Sequence, residues 1–220
     1  MWGADEAGQL GLGNQNRSKI YTIPRFCSFN VQIKMISCGE EHAAMIANAG
    51  YVYTMGSNQH GRLGIGNRTI PYSIKPYIVE ALTFHRTKFI SAGFAHSAAV
   101  TDAGELFTWG LGEFGALGVN SRDNLWSPMR VAFPDVPNAH VYRASCGMKH
   151  TAMIDDKGRL YTAGSNENGQ LGTGHKRGEL MPALITTIND RMVQISAGIA
   201  HTLVLTKTGR VFAMGANSNG

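Results

Sequence analysis

The feature that most constrains this chain is an internal repeat. Four histidines, His42, His96, His150 and His201, follow one another at intervals of 54, 54 and 51 residues. Each closes a G-x-x-H segment that begins at Gly39, Gly93, Gly147 or Gly198. A glycine follows each histidine by 14 residues, at Gly56, Gly110, Gly164 and Gly215. Another follows the first three of these by 8, at Gly64, Gly118 and Gly172, and Gly3 and Gly11 repeat that spacing near the start. A period of this length marks an architecture in which one small unit stacks on copies of itself, because no unit buries both of its apolar faces alone. The 220 residues read as a single repeat domain, with units near 1–13 (partial), 14–66, 67–120, 121–174 and 175–220 (truncated).

Each unit spells out a hairpin. A short apolar run follows the histidine, as in Ala43-Ala44-Met45-Ile46, and then a turn that closes on glycine: Asn48-Ala49-Gly50, Asp102-Ala103-Gly104, Asp156-Lys157-Gly158 and Lys207-Thr208-Gly209. Such a turn needs a positive φ at its last residue. The next run, such as Tyr51-Val52-Tyr53-Thr54-Met55, is β-branched and aromatic and too short for a helix. The loop beyond it carries Asp5, Asn58, Gly112, Asn166 or Asn217, expected to sit in a left-handed backbone or an Asx-turn. One proline per unit, Pro24, Pro76, Pro128 and Pro182, belongs in an outer strand or its approach, where no ladder donor is needed. The expected fold is all-β, about four strands per unit, with almost no helix.

These residues resemble the RCC1 repeat family. The resemblance rests on Trp2-Gly3 with Gly8-Gln9-Leu10-Gly11, on Trp109-Gly110, on Gly164 with Asn166 and Gly169-Gln170-Leu171-Gly172, and on the G-x-x-H segments. Met55, Ala163 and Met214 stand where the pattern has tryptophan, a departure read as a change in packing. The resemblance implies an RCC1-like β-propeller, with about four blades present of a ring that typically has seven. Both ends fall inside a repeat, so the missing blades are expected from the rest of a longer chain or from another subunit. It also implies a non-catalytic protein–protein interaction scaffold, located inside the cell in cytoplasm or nucleus, or at cilia or the cytoskeleton. The partners it brings into view are a small GTPase, chromatin, and cytoskeletal or ciliary proteins. The alternative it carries is a guanine-nucleotide exchange factor for a Ran-type GTPase with chromatin binding. That activity uses acidic face residues and an inserted wedge, for which the intervals of 54, 54 and 51 leave little room. In the plant ultraviolet-receptor branch, Trp and Arg between Gly and His build a dimer face; this chain has neither there, so ultraviolet sensing is not expected.

The remaining residue types offer no catalytic set, cofactor site or metal site. The four histidines have no recurring carboxylate or cysteine beside them and are expected to bond backbone groups inside their own blades. Cys27, Cys38 and Cys146 form no C-x-x-C pair and read as free thiols, with Cys38 and Cys146 as small, inert core residues. The glycine-rich stretches such as Gly11-Leu12-Gly13 precede no helix pattern, which argues against a phosphate loop. No apolar run is long enough to cross a bilayer as a helix. A net charge of +5 admits an acidic partner, although the basic residues are scattered singly. Specificity is therefore expected where copies differ within a constant frame: Glu40, Glu41, Phe94, Met148, Lys149 and Ile199 form the candidate partner face. Poor in Arg and Lys, that face should bind phosphate backbones weakly.

Overall fold

The computed structural model describes residues 1–13 and 20–218. The start of the second sequence unit at residue 14 and the last two residues of the fifth lie outside the described residues. Strands β1 (Gly3–Ala4) and β2 (Ile20–Tyr21) pair as a small ribbon. Three four-stranded antiparallel sheets follow. The first is β3 (Ile33–Cys38), β4 (His42–Ala47), β5 (Val52–Ser57) and β6 (Tyr72–Ile78). The second is β7 (Thr87–Ala92), β8 (His96–Thr101), β9 (Leu106–Gly110) and β10 (Leu125–Arg130). The third is β11 (Val141–Cys146), β12 (His150–Asp155), β13 (Leu160–Gly164) and β14 (Glu179–Ile185). A three-stranded sheet, β15 (Met192–Ala197), β16 (His201–Thr206) and β17 (Val211–Gly215), ends the described chain.

Each G-x-x-H histidine is the first residue of its sheet's second strand, and the hairpin it opens is central, as the spacing predicts. The hairpin turns close on Gly50, Gly104, Gly158 and Gly209 with φ of +92°, +76°, +78° and +83°. Pro76, Pro128 and Pro182 lie in the outermost strands, each within a register shift where the ladder skips a bond. The blades are out of phase with the sequence units: β6 falls in the unit 67–120 yet pairs with β5.

The sheets stand side by side, with β3, β7, β11 and β15 in succession along the inner wall. Their cores lie between sheets. Ala44, Ile46 and Val52 of the first pack with Ile90, Ala99, Phe107 and Trp109 of the second, and Ala152, Ile154 and Leu160 of the third pack with Met192 and Val204 of the fourth. Backbone bonds staple the inner strands at both ends. Thr87, Val141 and Met192 N–H donate to the carbonyls of Gly50, Gly104 and Gly158 at 3.0, 2.8 and 2.9 Å. Between these staples Ser37, Ser91 and Ser145 Oγ accept Ala92, Cys146 and Ala197 N–H at 2.9, 3.0 and 2.9 Å. The exposed edge of each inner strand thus finds its donors and acceptors one blade away.

Two expectations about side chains need correction. Cys146 is buried as predicted, but Cys38 is exposed: it sits on the inner strand of the first sheet, on a flank that no preceding four-stranded sheet covers, together with Ile36. Asn58 is not left-handed, with φ −103° and ψ 15°. Its Oδ1 accepts Leu63 N–H five residues on, and Asp5 and Asn166 bond Leu10 and Leu171 in the same way. The span is wider than an Asx-turn because this side chain holds the whole loop to the strand end. Gly112 has no such side chain, and there Asn124 Oδ1 accepts the Gly112 N–H from across the loop at 3.0 Å.

Candidate functional site

The G-x-x-H segments emerge together at one end of the sheets. Their first variable residues follow one another from blade to blade, because Glu40, Phe94 and Met148 N–H donate to the carbonyls of Gly93, Gly147 and Gly198 at 3.3, 3.1 and 3.2 Å. Glycine is required at the head of each segment by this close approach: a Cβ on Gly93 would lie 2.5 Å from the Gly147 oxygen, and one on Gly39 2.4 Å from the Gly93 oxygen and the His42 ring. Glu40, Phe94, Met148 and Ile199 are therefore arranged as successive points of one rim, with Glu40 exposed, Phe94 and Met148 half-buried and Ile199 72% exposed.

The second variable residues turn toward the neighbouring loops. Glu41 Oε2 lies 3.2 Å from Arg62 Nη1, and the Lys149 ammonium stands 4.2 Å above the Phe114 ring. Arg62, Phe114 and His60 join this end of the molecule without having been marked in the sequence. The available signal was the repeat register: His60 and Phe114 occupy one position, four residues after Gly56 and Gly110, and Arg62 lies two residues further on. His60 has a left-handed backbone, φ +60°, and its Nδ1 lies 3.3 Å from Asn124 of the next blade. A non-glycine residue held there is strained, and such strain concentrates at functional surfaces.

The histidines beneath this rim form a relay that corrects the expected intrablade backbone bond. His42, His96 and His150 Nε2 each lie 2.8 Å from a hydroxyl on the following blade: Ser97 Oγ, Thr151 Oγ1 and Thr202 Oγ1. Those hydroxyls donate their single proton back to the carbonyls of Arg62, Ala116 and Gln170 at 3.1, 2.7 and 2.8 Å. Proton bookkeeping then makes each histidine a neutral Nε2–H donor. Among the described residues Nδ1 of His42 and of His150 has no partner, so a second proton would be buried without an acceptor. Burial accordingly pushes His42 and His96 down to about 3 and His150 to about 4. Burial also pushes the Cys146 thiol up to about 12, which leaves it an inert packing group. Among the described residues no group of three His, Cys, Asp or Glu side chains is placed to hold a metal, and no helix is long and apolar enough to cross a membrane.

Comparison with known proteins agrees with this architecture. The ultraviolet-B receptor of Arabidopsis thaliana is 35% identical over 221 residues, covering 100% of this chain and 49% of its own length. The chain therefore spans about half of that relative. The crystal structure of human WBSCR16 superposes with a TM-score of 0.81 at 24% identity, over 97% of this chain and 56% of the other. That of Prp20p from Saccharomyces cerevisiae, described with its binding properties to Gsp1p and histones, gives 0.76 at 22% identity over 91% and 50%. The RCC1-like domain profile matches residues 1–220. The unit glycines, the radial four-stranded sheets and this match place the chain in the RCC1-like domain family.

Proposed function

We propose that the chain is a non-catalytic protein-interaction module that receives its partner on the G-x-x-H rim, through Glu40, Glu41, Phe94, Met148, Lys149 and Ile199. The observation that carries this reading is the division of labour in each segment. Gly93 and His96 are committed to blade-to-blade contacts, whereas the residues between Gly and His change from copy to copy on one continuous rim. A rim mixing Phe, Met and Ile with Glu and Lys suits a protein interface in which a few anchors dominate the energy. The free cysteines favour a reducing compartment, in cytoplasm or nucleus.

A photo-crosslinker placed at Phe94, and separately at Lys157 at the opposite end of the sheets, tests the reading. A partner adduct from position 94 and none from 157 supports it; the reverse pattern overturns it. Nucleotide exchange on a Ran-type GTPase is the competing reading, since the yeast protein of similar fold is described with Gsp1p. Release of bound nucleotide from a Ran-type GTPase should stay at its uncatalysed rate, and strong acceleration would favour the exchange reading.

A further inference from the structure

At the opposite end of the sheets, where the hairpin turns lie, a different chemistry gathers on the inner wall. Among the described residues three arginines are less than fully exposed: Arg62 at the rim end, and Arg143 and Arg159 toward the turns, both half-buried. Arg62 is neutralised by Glu41 at 3.2 Å, and Arg159 Nε donates to Asp155 Oδ2 at 2.6 Å. Arg143 pairs with no carboxylate among the described residues. Its Cζ lies 5.6 Å from the Phe89 ring centroid and 5.0 Å from that of Tyr142, and its buried Nε finds no acceptor. Rings on two strands thus flank a guanidinium that makes no hydrogen bond or ion pair with another described residue. A half-buried cation without a counter-charge is stabilised by an anion, and the outer N–H groups of a guanidinium match an oxyanion.

The surroundings reinforce the positive charge. Lys88, next to Phe89 on β7, is half-buried and forms no ion pair among the described residues. Lys34 Nζ donates to the Thr87 carbonyl at 3.0 Å, which brings a further ammonium beside the start of β7. Three carboxylates toward this end already face arginines: Asp102 with Arg86, Glu105 with Arg130, and Asp190 with Arg210. We propose that this inner wall binds a multiply charged oxyanion, with Arg143 and Lys88 as its direct ligands and Lys34 adding to the attraction. The site lies at the other end of the sheets from the partner rim and shares no residue with it.

Calorimetric titration of the whole chain with inorganic tripolyphosphate, and separately with citrate at matched ionic strength, tests the proposal. Saturable one-to-one binding of at least one probe is expected, and the tighter of the two names phosphate or carboxylate as the source. Arg143→Gln and Lys88→Gln should each weaken it by about tenfold, Arg143→Lys by less because the charge remains, and Lys176→Gln at the rim end should leave it unchanged. If neither probe saturates, or if Arg143→Gln and Lys88→Gln both bind as the parent does, the proposal is overturned. Should Arg143→Gln fail to fold, Lys88→Gln decides alone.

Discussion

Nε2 of His96 lies 2.8 Å from Oγ1 of Thr151, a residue 55 positions on and one blade around. The hydroxyl in turn donates to the Ala116 carbonyl at 2.7 Å, back in the blade of the histidine. One side chain therefore satisfies a buried donor and a buried acceptor of its neighbour. Thr151→Val keeps the shape and removes both bonds. The expected cost is about 1–3 kcal/mol for each group left unsatisfied, read as a lowered midpoint in denaturant unfolding. Thr151→Ser keeps the hydroxyl and should cost much less. Equal stability of Thr151→Val and the parent would contradict the relay.

The same relay fixes a pH dependence. Folded His42, His96 and His150 hold their protons far more weakly than the ordinary histidine range, at about 3, 3 and 4. Below about pH 6.5 the unfolded chain binds protons that the folded chain refuses, so stability falls as pH falls. The contribution is fully present above about 6.5 and is lost progressively toward about 4 and 3, each histidine adding a slope of up to about 1.4 kcal/mol per pH unit. Unfolding titrations between pH 7 and 4.5 should show this loss, and His96→Gln should make it shallower by that histidine's share while His42 and His150 keep theirs. A flat profile in the parent would show that these histidines are not buried neutral.

Trp109 joins two blades through one atom pair. Its Nε1–H donates to the Arg62 carbonyl at 3.0 Å, and a Cβ on Gly64 would lie 2.7 Å from that nitrogen. Trp109→Ala should cost about 3–5 kcal/mol by opening a buried cavity. Trp109→Met, which copies Met55 and Met214 at the matching positions, should cost less. Chemical denaturation of the two variants checks the order, and a cost for Met equal to that for Ala would contradict the packing described.

The repeat made the strands, the central hairpins and the proline-bearing outer strands legible, because those depend on period, turn residues and backbone donors within one unit. The histidine partners were less so. The hydroxyl lies immediately after the next histidine, at Ser97, Thr151 and Thr202, but Ala43 breaks the pattern in the first copy, and the contact crosses between units. Cys38 illustrates the same point: an identical strand position is buried at Cys146 and exposed at Cys38, according to which flank has a neighbour. Arg143 was not legible at all, since its equivalents are Met35, Phe89 and Gln194 and nothing local marks a cation on the inner wall.

The rim residues divide into those that touch a neighbouring loop and those that face outward. Lys149 lies over Phe114, so Lys149→Ala should relax that loop while leaving the fold intact. An exposed cation–π contact is worth about 0.5–1 kcal/mol, and a loss of that size in thermal unfolding is expected. A loss several times larger would place Lys149 in the core instead of on the rim.

The central claim, that variable rim residues on a fixed frame select the partner, is tested most directly by the double variant Phe94→Ala, Met148→Ala. Full chain carrying it should recover about fivefold less of the mass-spectrometrically identified partner in quantitative pull-down, with a melting temperature within about 2 °C of the parent, as expected for interface anchors outside the core. Undiminished recovery, or a collapse of the melting temperature, would contradict the claim.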